Sequence, residues 1–219
     1  IYNTAGVLTQ EGALLDVNGN FLINAAAASF TAAAGGATLS GNFTNNGTTS
    51  VTGILSDNNV SGTNIFVGLI TINNGGSWTT ANNPAFTIRG GITNNGTFTA
   101  GTNVYTFNTN SQALTGTFSF TGVTVTSPTV LTNNGTLTVS AALAGTGGLT
   151  NAATGLLNIG GTSTITALTA TAVQNTINYT GGVQTVKAAT YHHLGLGGSG
   201  AKTMTGVSAI NGNMTLSGT

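Results

Sequence analysis

The sequence predicts an all-β protein, a parallel β-solenoid of roughly ten rungs, and three observations support this fold class. Gly, Thr and Asn fill 105 of the 219 positions. Thr favours strands because its branched Cβ suits a pleated surface, whereas Gly and Asn favour tight turns. Short segments such as TLTV at 136–139 alternate polar and apolar residues. A third observation, a recurring Thr-Asn-Asn-Gly-Thr pattern, indicates a repeat architecture.

The recurring pattern appears in three close copies and one looser copy. These are NFTNNGT at 42–48, GITNNGTFT at 91–99, LTNNGTLT at 131–138 and LTNAATGLLNI at 149–159. The offsets between Asn45, Asn94, Asn133 and Asn151, one from each copy, are 49, 39 and 18 residues; the last two fit multiples of roughly 19. One such repeat is too small to bury its own apolar face, so stacking of neighbours is expected.

An antiparallel β-sandwich built of hairpins is the alternative fold. Asn-Gly between alternating residues is a strong hairpin signal, and the same pairs would form the corners of a solenoid. The predicted repeat turns are Asn46-Gly47, Asn95-Gly96 and Asn134-Gly135. Repetition favours the solenoid over the sandwich.

The first 37 residues fit the repeat less well than the rest. Residues 1–37 are therefore predicted as an N-terminal segment, a cap or an assembly joint, and residues 38–219 as one elongated domain of repeats. Within the N-terminal segment, NAAAASFTAAA at 24–34 is the one stretch with helical propensity, so a short helix there is an open alternative.

Composition excludes several classes of function. Three Lys and Arg side chains cannot follow a phosphate backbone, so nucleic acid is not an expected partner. The chain has no Cys and no apolar run of about 18 residues, so neither a cysteine metal site nor a membrane-spanning helix is predicted. Near-zero net charge favours association between copies.

No catalytic, metal or cofactor site is predicted, and the chain is not expected to be an enzyme. The acids Glu11, Asp16 and Asp57 form no convincing pair for glycoside hydrolysis. His192 and His193 are adjacent, and side chains alternate along a strand, so one packed and one exposed ring is expected. The aromatic residues of the strands are expected in the core: Trp78, Tyr105, Phe107, Phe118, Phe120, Tyr179 and Tyr191.

The segments GNFTNNGT, GITNNGTFTAGTNVYTFNTNSQALTGTFSF and TGGVQTVKAATYHHLGLGGSGAKTMTGVSAINGNMTLSG resemble the β-strand repeats of large secreted bacterial surface proteins. Such repeats are common in Bacteroidota and are similar to adhesin passengers of the haemagglutinin type. The resemblance covers most of residues 38–219. It implies export, an extracellular or cell-surface location and an adhesive or fibrous role.

The predicted function is a non-enzymatic structural protein, a segment or subunit of a bacterial surface fibre or adhesin that self-associates. Its expected partners are copies of itself and surface glycans, and no cofactor is expected. The alternative is a monomeric carbohydrate- or ice-binding solenoid, which the recurring Thr-x-Thr pairs suggest. Unpaired strands at the two ends favour joining of copies. The candidate joint residues are Ile1, Tyr2, Val7, Met214 and Leu216.

Overall fold

The computed structural model describes residues 63–80 and 85–218 without interruption, and before them Gly19 and nine strand segments between Tyr2 and Asp57. The regular elements of these residues are all strands, with no helix. The chain divides into two compact units, Ile1–Thr106 and Phe107–Thr219. The division at residue 37 stays a prediction.

Unit 1 makes five turns in its described residues, and each turn contributes three short strands. In chain order they are β1 (Tyr2–Asn3), β2 (Val7–Gln10), β3 (Leu15–Val17), β4 (Phe21–Ile23), β5 (Ser29–Ala32), β6 (Ala37–Leu39), β7 (Phe43–Asn45), β8 (Thr48–Val51), β9 (Ile54–Asp57), β10 (Thr63–Phe66), β11 (Ile70–Ile72), β12 (Ser77–Thr80), β13 (Ala85–Ile88), β14 (Ile92–Asn94) and β15 (Thr97–Thr99). β16 (Val104–Phe107) follows at the boundary between the units.

Three parallel ladders hold the turns of unit 1 together. The first ladder contains β1, β4, β7, β10 and β13. The second contains β2, β5, β8, β11 and β14. The third contains β3, β6, β9, β12 and β15. Every third strand therefore pairs with the strand one turn later, which is the connectivity of a β-solenoid.

Unit 2 repeats this architecture, and two of its strands are long enough to take part in more than one ladder. Its strands are β17 (Gln112–Val125), β18 (Val130–Asn133), β19 (Thr136–Ala144), β20 (Gly148–Asn151), β21 (Leu156–Ile159), β22 (Thr162–Ser163), β23 (Ala167–Thr169), β24 (Thr176–Tyr179), β25 (Gln184–Thr185), β26 (Thr190–Tyr191), β27 (His193–Gly197), β28 (Lys202–Thr203), β29 (Ala209–Ile210) and β30 (Met214–Ser217).

The ladders of unit 2 are also parallel. The first runs through the start of β17, then β18, β20 and β23, and continues by the Ala170–Tyr191 bridge to β26 and β29. The second joins β17, β19, β21, β24, β27 and β30. The third contains the end of β17, the end of β19 and β22; β25 and β28 pair separately.

The predicted parallel β-solenoid of roughly ten rungs is confirmed, and the hairpin sandwich is wrong. β14 and β15 flank Asn95-Gly96 but lie in different ladders, so this Asn-Gly pair turns a corner instead of closing a hairpin. The helix alternative is wrong where it can be tested, because Ser29–Ala32 form a strand paired with β2 and β8. Residues 24–28 and 33–34 lie outside the described residues.

The uneven repeat spacing has a structural cause. Asn45 ends β7 in the first ladder of unit 1, whereas Asn94 ends β14 in the second ladder. The two copies of the pattern therefore occupy different corners, and their offset of 49 residues need not be a multiple of one turn. Asn133 and Asn151 lie opposite each other in register, one turn of 18 residues apart.

Apolar side chains stack in columns inside unit 2. One column of the second ladder contains, in register, Phe118, Leu137, Leu157, Ile177, Leu194 and Met214. A parallel column contains Phe120, Val139, Ile159, Tyr179, Leu196 and Leu216. Burial of these side chains from water is the main force that holds the turns together. The seven strand aromatics predicted for the core are all at most 1% exposed, which confirms that prediction.

Two adjacent leucines of β21 test whether the residues assigned to the columns face the core. Leu157 is fully buried and its neighbour Leu156 is only partly covered. We expect Leu157→Ala to lower the free energy of unfolding by about 2–5 kcal/mol, because a cavity remains. Leu156→Ala, the matched control, should lower it by less than about 1 kcal/mol. Urea unfolding followed by circular dichroism measures both changes. Equal losses of stability would contradict the assignment of Leu157 to the core and of Leu156 to the outer side.

Candidate functional site

Buried asparagines of successive turns lie at the corner between the first and second strand ladders of unit 2. We call this row of side chains the asparagine ladder. Asn133 and Asn151 are fully buried, and the Asn133 Nδ2 group donates to Asn151 Oδ1 at 2.7 Å. Asn151 Nδ2 donates to the carbonyl oxygens of Gly155 and Thr176, at 2.8 and 3.1 Å. The amide both donates and accepts, so one residue type can repeat at this position in stacked turns.

The next turn supplies Asn175, which is also fully buried. Its Nδ2 group donates to the backbone oxygen of Asn151 at 2.7 Å, while its Oδ1 atom is buried without a hydrogen-bond partner. An unpaired buried acceptor costs stability. The asparagine ladder is therefore weakest at this turn.

The predicted repeat turns hold the corners that follow the buried asparagines. Asn95 and Gly96 lie between β14 and β15, and the Gly96 amide donates to Asn94 Oδ1 at 3.1 Å. Asn134 and Gly135 lie between β18 and β19, where a Cβ on Gly135 would collide with the carbonyl oxygen of Gly116. Only glycine permits that close approach. Asn46 and Gly47 lie outside the described residues.

The sequence did not reveal that, in the two Thr-Asn-Asn-Gly-Thr copies whose burial the structure describes, the first Asn is the buried one. Asn94 and Asn133 are at most 8% exposed, whereas Asn95 and Asn134 point to solvent. Their alternation with the preceding apolar residues, such as Leu131, was the signal available. Gln184 has a similar role: its Nε2 group donates to the carbonyls of Ile159 and Gly161, and its Oε1 accepts from the Gly181 amide.

Two tyrosines form a second buried polar group in unit 2. The phenol oxygens of Tyr179 and Tyr191 lie 3.3 Å apart, and the Lys187 amide donates to Tyr179 at 2.9 Å. The Tyr191 hydroxyl donates to the Lys187 carbonyl. Burial raises the pKa of Tyr179, although its hydrogen bonds to Tyr191 and Lys187 oppose this. Burial also raises the pKa of Tyr191, and the neighbouring Tyr179 raises it further.

The prediction of one packed and one exposed histidine is wrong. The rings of His192 and His193 contact each other edge to face, with centroids 4.2 Å apart, and both are partly exposed. His192 lies at a bend between β26 and β27, so strand alternation does not apply to the pair.

The histidine pair is arranged to join turns and not to hold a metal ion. His192 Nδ1 accepts from the Gln174 amide at 3.2 Å, and His193 Nδ1 accepts from the Asn213 amide at 2.8 Å. Each Nδ1 atom is therefore unprotonated, and the proton of the neutral ring is on Nε2. Metal coordination by Nε2 would require that proton to move to Nδ1, where it would face an N–H group.

Acidic residues add little to a possible metal or catalytic site. Asp16 is exposed on β3, Asp57 is part of β9, and Glu11 lies outside the described residues. Among the residues that the structure describes, no three His, Cys, Asp or Glu side chains come together to hold a metal ion.

The last turn of unit 2 exposes the apolar columns that every earlier turn buries. Leu194 and Leu196 are at most 6% exposed, whereas Met214 and Leu216, which follow them in register, are 43% and 73% exposed. A cavity of about 380 Å³ opens beside these two residues and also contacts Met204. β30 pairs with β27 on one side, and no described strand pairs with its other side.

The remaining candidate joint residues are in unit 1. Tyr2 belongs to β1, where it pairs with Leu22, and Val7 begins β2, where it pairs with Ser29. Ile1 lies outside the described residues. Their role in joining copies stays a prediction.

Comparisons of the chain with known family models, curated proteins and solved structures found no match. In the part of the chain that the structure describes, no helix is long and apolar enough to cross a membrane. The functional argument therefore depends on the geometry of the chain itself.

The asparagine ladder can be tested with a buried and an exposed asparagine. Asn151→Ala removes three side-chain hydrogen bonds and leaves buried carbonyls without partners, so the free energy of unfolding should fall by about 2–4 kcal/mol. Asn134→Ala, at an exposed corner, should change it by less than about 0.5 kcal/mol. Urea unfolding compares the two; a small effect at Asn151 would show that the ladder contributes little.

The tyrosine pair predicts loss of stability in alkali. The unfolded chain releases phenol protons near the ordinary tyrosine pKa of about 10. The folded chain keeps these protons at higher pH because its pKa values are raised, so the unfolded state binds fewer protons above pH 10 and folding stability falls as pH rises.

The double variant Tyr179→Phe, Tyr191→Phe should lose part of this alkaline dependence, although lost hydrogen bonds make it less stable at neutral pH by about 1–3 kcal/mol. Urea unfolding at about pH 8 and about pH 11 measures the difference. The two proteins differ only at these two tyrosines, so the comparison isolates their contribution. An unchanged pH dependence in the double variant would contradict the assignment.

Proposed function

We propose that this chain is a non-enzymatic structural module of an extracellular bacterial surface fibre or adhesin, and that its copies associate end to end through β30. The observation that carries the proposal is the exposed end of the apolar columns, Met214 and Leu216, after turns in which the same positions are buried. Such side chains are stabilised when a further strand covers them.

The backbone of β30 supports the same proposal. Among the described residues β30 pairs on one side only, and the N–H and C=O groups of an unpaired strand side are a template for another strand. Addition of a parallel strand would continue the ladder that already joins β24, β27 and β30. The strand that we propose for this role is β1 of a second copy, which pairs only with β4 among the described residues.

Charge supports self-association as well. The chain has three basic and three acidic side chains in 219 residues, so copies meet with little electrostatic repulsion. The extracellular location and the adhesive role are further parts of the proposal, and both depend on the resemblance to secreted surface repeats. The fold is consistent with a structural or binding module.

Sedimentation velocity over a series of concentrations tests the proposal. We expect the wild-type protein to form larger species as concentration rises, visible as fibres by negative-stain electron microscopy. Leu216→Asp should weaken association roughly 10-fold or more, because a leucine that is covered contributes about 1.5–3 kcal/mol.

The matched control is Val173→Asp, which adds the same charge at an apolar residue that is 66% exposed and does not line the cavity beside β30. It should associate as the wild type does. A wild-type protein that stays monomeric at every concentration, or a Leu216→Asp variant that associates normally, would show the proposal to be wrong.

A further inference from the structure

A polar ladder runs along the outer side of the second ladder of unit 2. Thr138, Asn158 and Asn178 are register partners in successive turns. Asn158 Nδ2 donates to Thr138 Oγ1 at 3.2 Å, and Asn178 Nδ2 donates to Asn158 Oδ1 at 3.0 Å. Each Asn side chain thus donates a hydrogen bond to the preceding turn, and its oxygen faces the following turn as an acceptor.

The ladder is interrupted at Gly195, the register partner of Asn178. Gly195 has no side chain that could donate to Asn178 Oδ1, and a Cβ there would collide with that oxygen. No hydrogen bond reaches Asn178 Oδ1 from the part of the chain that the structure describes. The oxygen therefore remains an acceptor at the surface, directed over the glycine.

A cavity of about 290 Å³ occupies this interruption. Besides Asn178 and Gly195, it is lined by polar side chains of three successive turns, and these are Thr176, His193, Asn213 and Thr215. The volume is just below the range of about 300–1,000 Å³ that is usual for pockets of drug-sized ligands, so it suits a ligand no larger than one sugar residue.

The lining determines the chemistry of the ligand. The hydroxyls of Thr176 and Thr215 donate and accept, Asn178 Oδ1 accepts, and His193 presents Nε2–H because its Nδ1 already accepts from Asn213. No Asp, Glu, Lys or Arg lines the cavity, so neither an ionic ligand nor a hard cation finds a counter-charge. We propose that this cavity, called here the notch at Gly195, binds one residue of a neutral saccharide through these hydroxyl, amide and imidazole groups.

All of the lining belongs to one chain, so a single copy is expected to bind the sugar, and dilute protein keeps association through β30 from contributing to the signal. Amide chemical shifts of labelled protein are recorded during titration with D-glucose, D-galactose, D-mannose, L-rhamnose and N-acetyl-D-glucosamine, with D-glucuronate as the anionic comparison. We expect at least one neutral sugar to shift the amides of residues 176–178, 193–195 and 213–215, and glucuronate to bind more weakly. Shifts elsewhere only, or none with any of the five sugars, would overturn the proposal.

Two substitutions confirm the location. Gly195→Ala fills the notch and displaces the Asn178 amide, so binding should weaken roughly 10-fold or more, as expected when a ligand's hydrogen-bond partners are lost. The matched control is Gly148→Ala, whose new Cβ would meet only ordinary contacts of 3.5 Å or more; it should bind normally.

Thr176→Val keeps the shape of the side chain but removes one lining hydroxyl, so it tests the site even if Gly195→Ala folds poorly. Circular dichroism of each variant confirms folding. Thr176→Val should also weaken binding, and sugar binding at wild-type strength by both variants would show that the notch is not the site. Leu216→Asp, which tests association, should still bind the sugar, so failure of one proposal can be distinguished from failure of the other.

Discussion

Parallel stacking of each turn on the next is the constraint on which the structure depends. Register partners lie about 4.7–4.9 Å apart, so whatever occupies one position faces its counterpart at close range. A repeated charge would place like charges at that distance, at a cost of about 1 kcal/mol even in water and more near the protein. The observed charges avoid this: Asp16 pairs with Thr38, and Lys202 pairs with Gln184. The 3% content of charged residues is in keeping with this constraint.

Neutral residues satisfy the same constraint in two ways. Inside the turns, apolar side chains stack into columns, and at one corner Asn133 and Asn151 replace them because an amide can donate to one neighbour and accept from the other. Buried amides without such partners would be unstable. The arrangement is incomplete at Asn175, because the side-chain oxygen of this residue is buried without a hydrogen-bond partner. Outside, Asn158 and Asn178 use the same chemistry in contact with solvent.

The fold class could be predicted from the sequence because alternation and repetition are local. Burial of Trp78 or Phe118 follows from strand alternation alone. The sequence does not predict which corner each repeat occupies. The patterns at Asn45 and Asn94 are nearly identical in sequence but occupy different corners, and only the pairing register distinguishes them. The contact between His192 and His193 depends on a bend, and the notch at Gly195 depends on its stacking against Asn178. Neither is encoded in a short stretch of sequence.

The register also explains why irregular spacing does not weaken the ladders. Leu157 pairs with Ile177 twenty residues later, and Ile177 pairs with Leu194 only seventeen residues later, yet the columns remain aligned. The difference in length is absorbed at the corners, where side chains such as Val183 are exposed and contribute little to the core. The strands therefore need side chains of matching shape and little charge, whereas the corners accommodate differences in length. Specific binding in such a module is expected where a side-chain ladder is broken, as at Gly195, because the break leaves an unpaired acceptor beside space for a ligand.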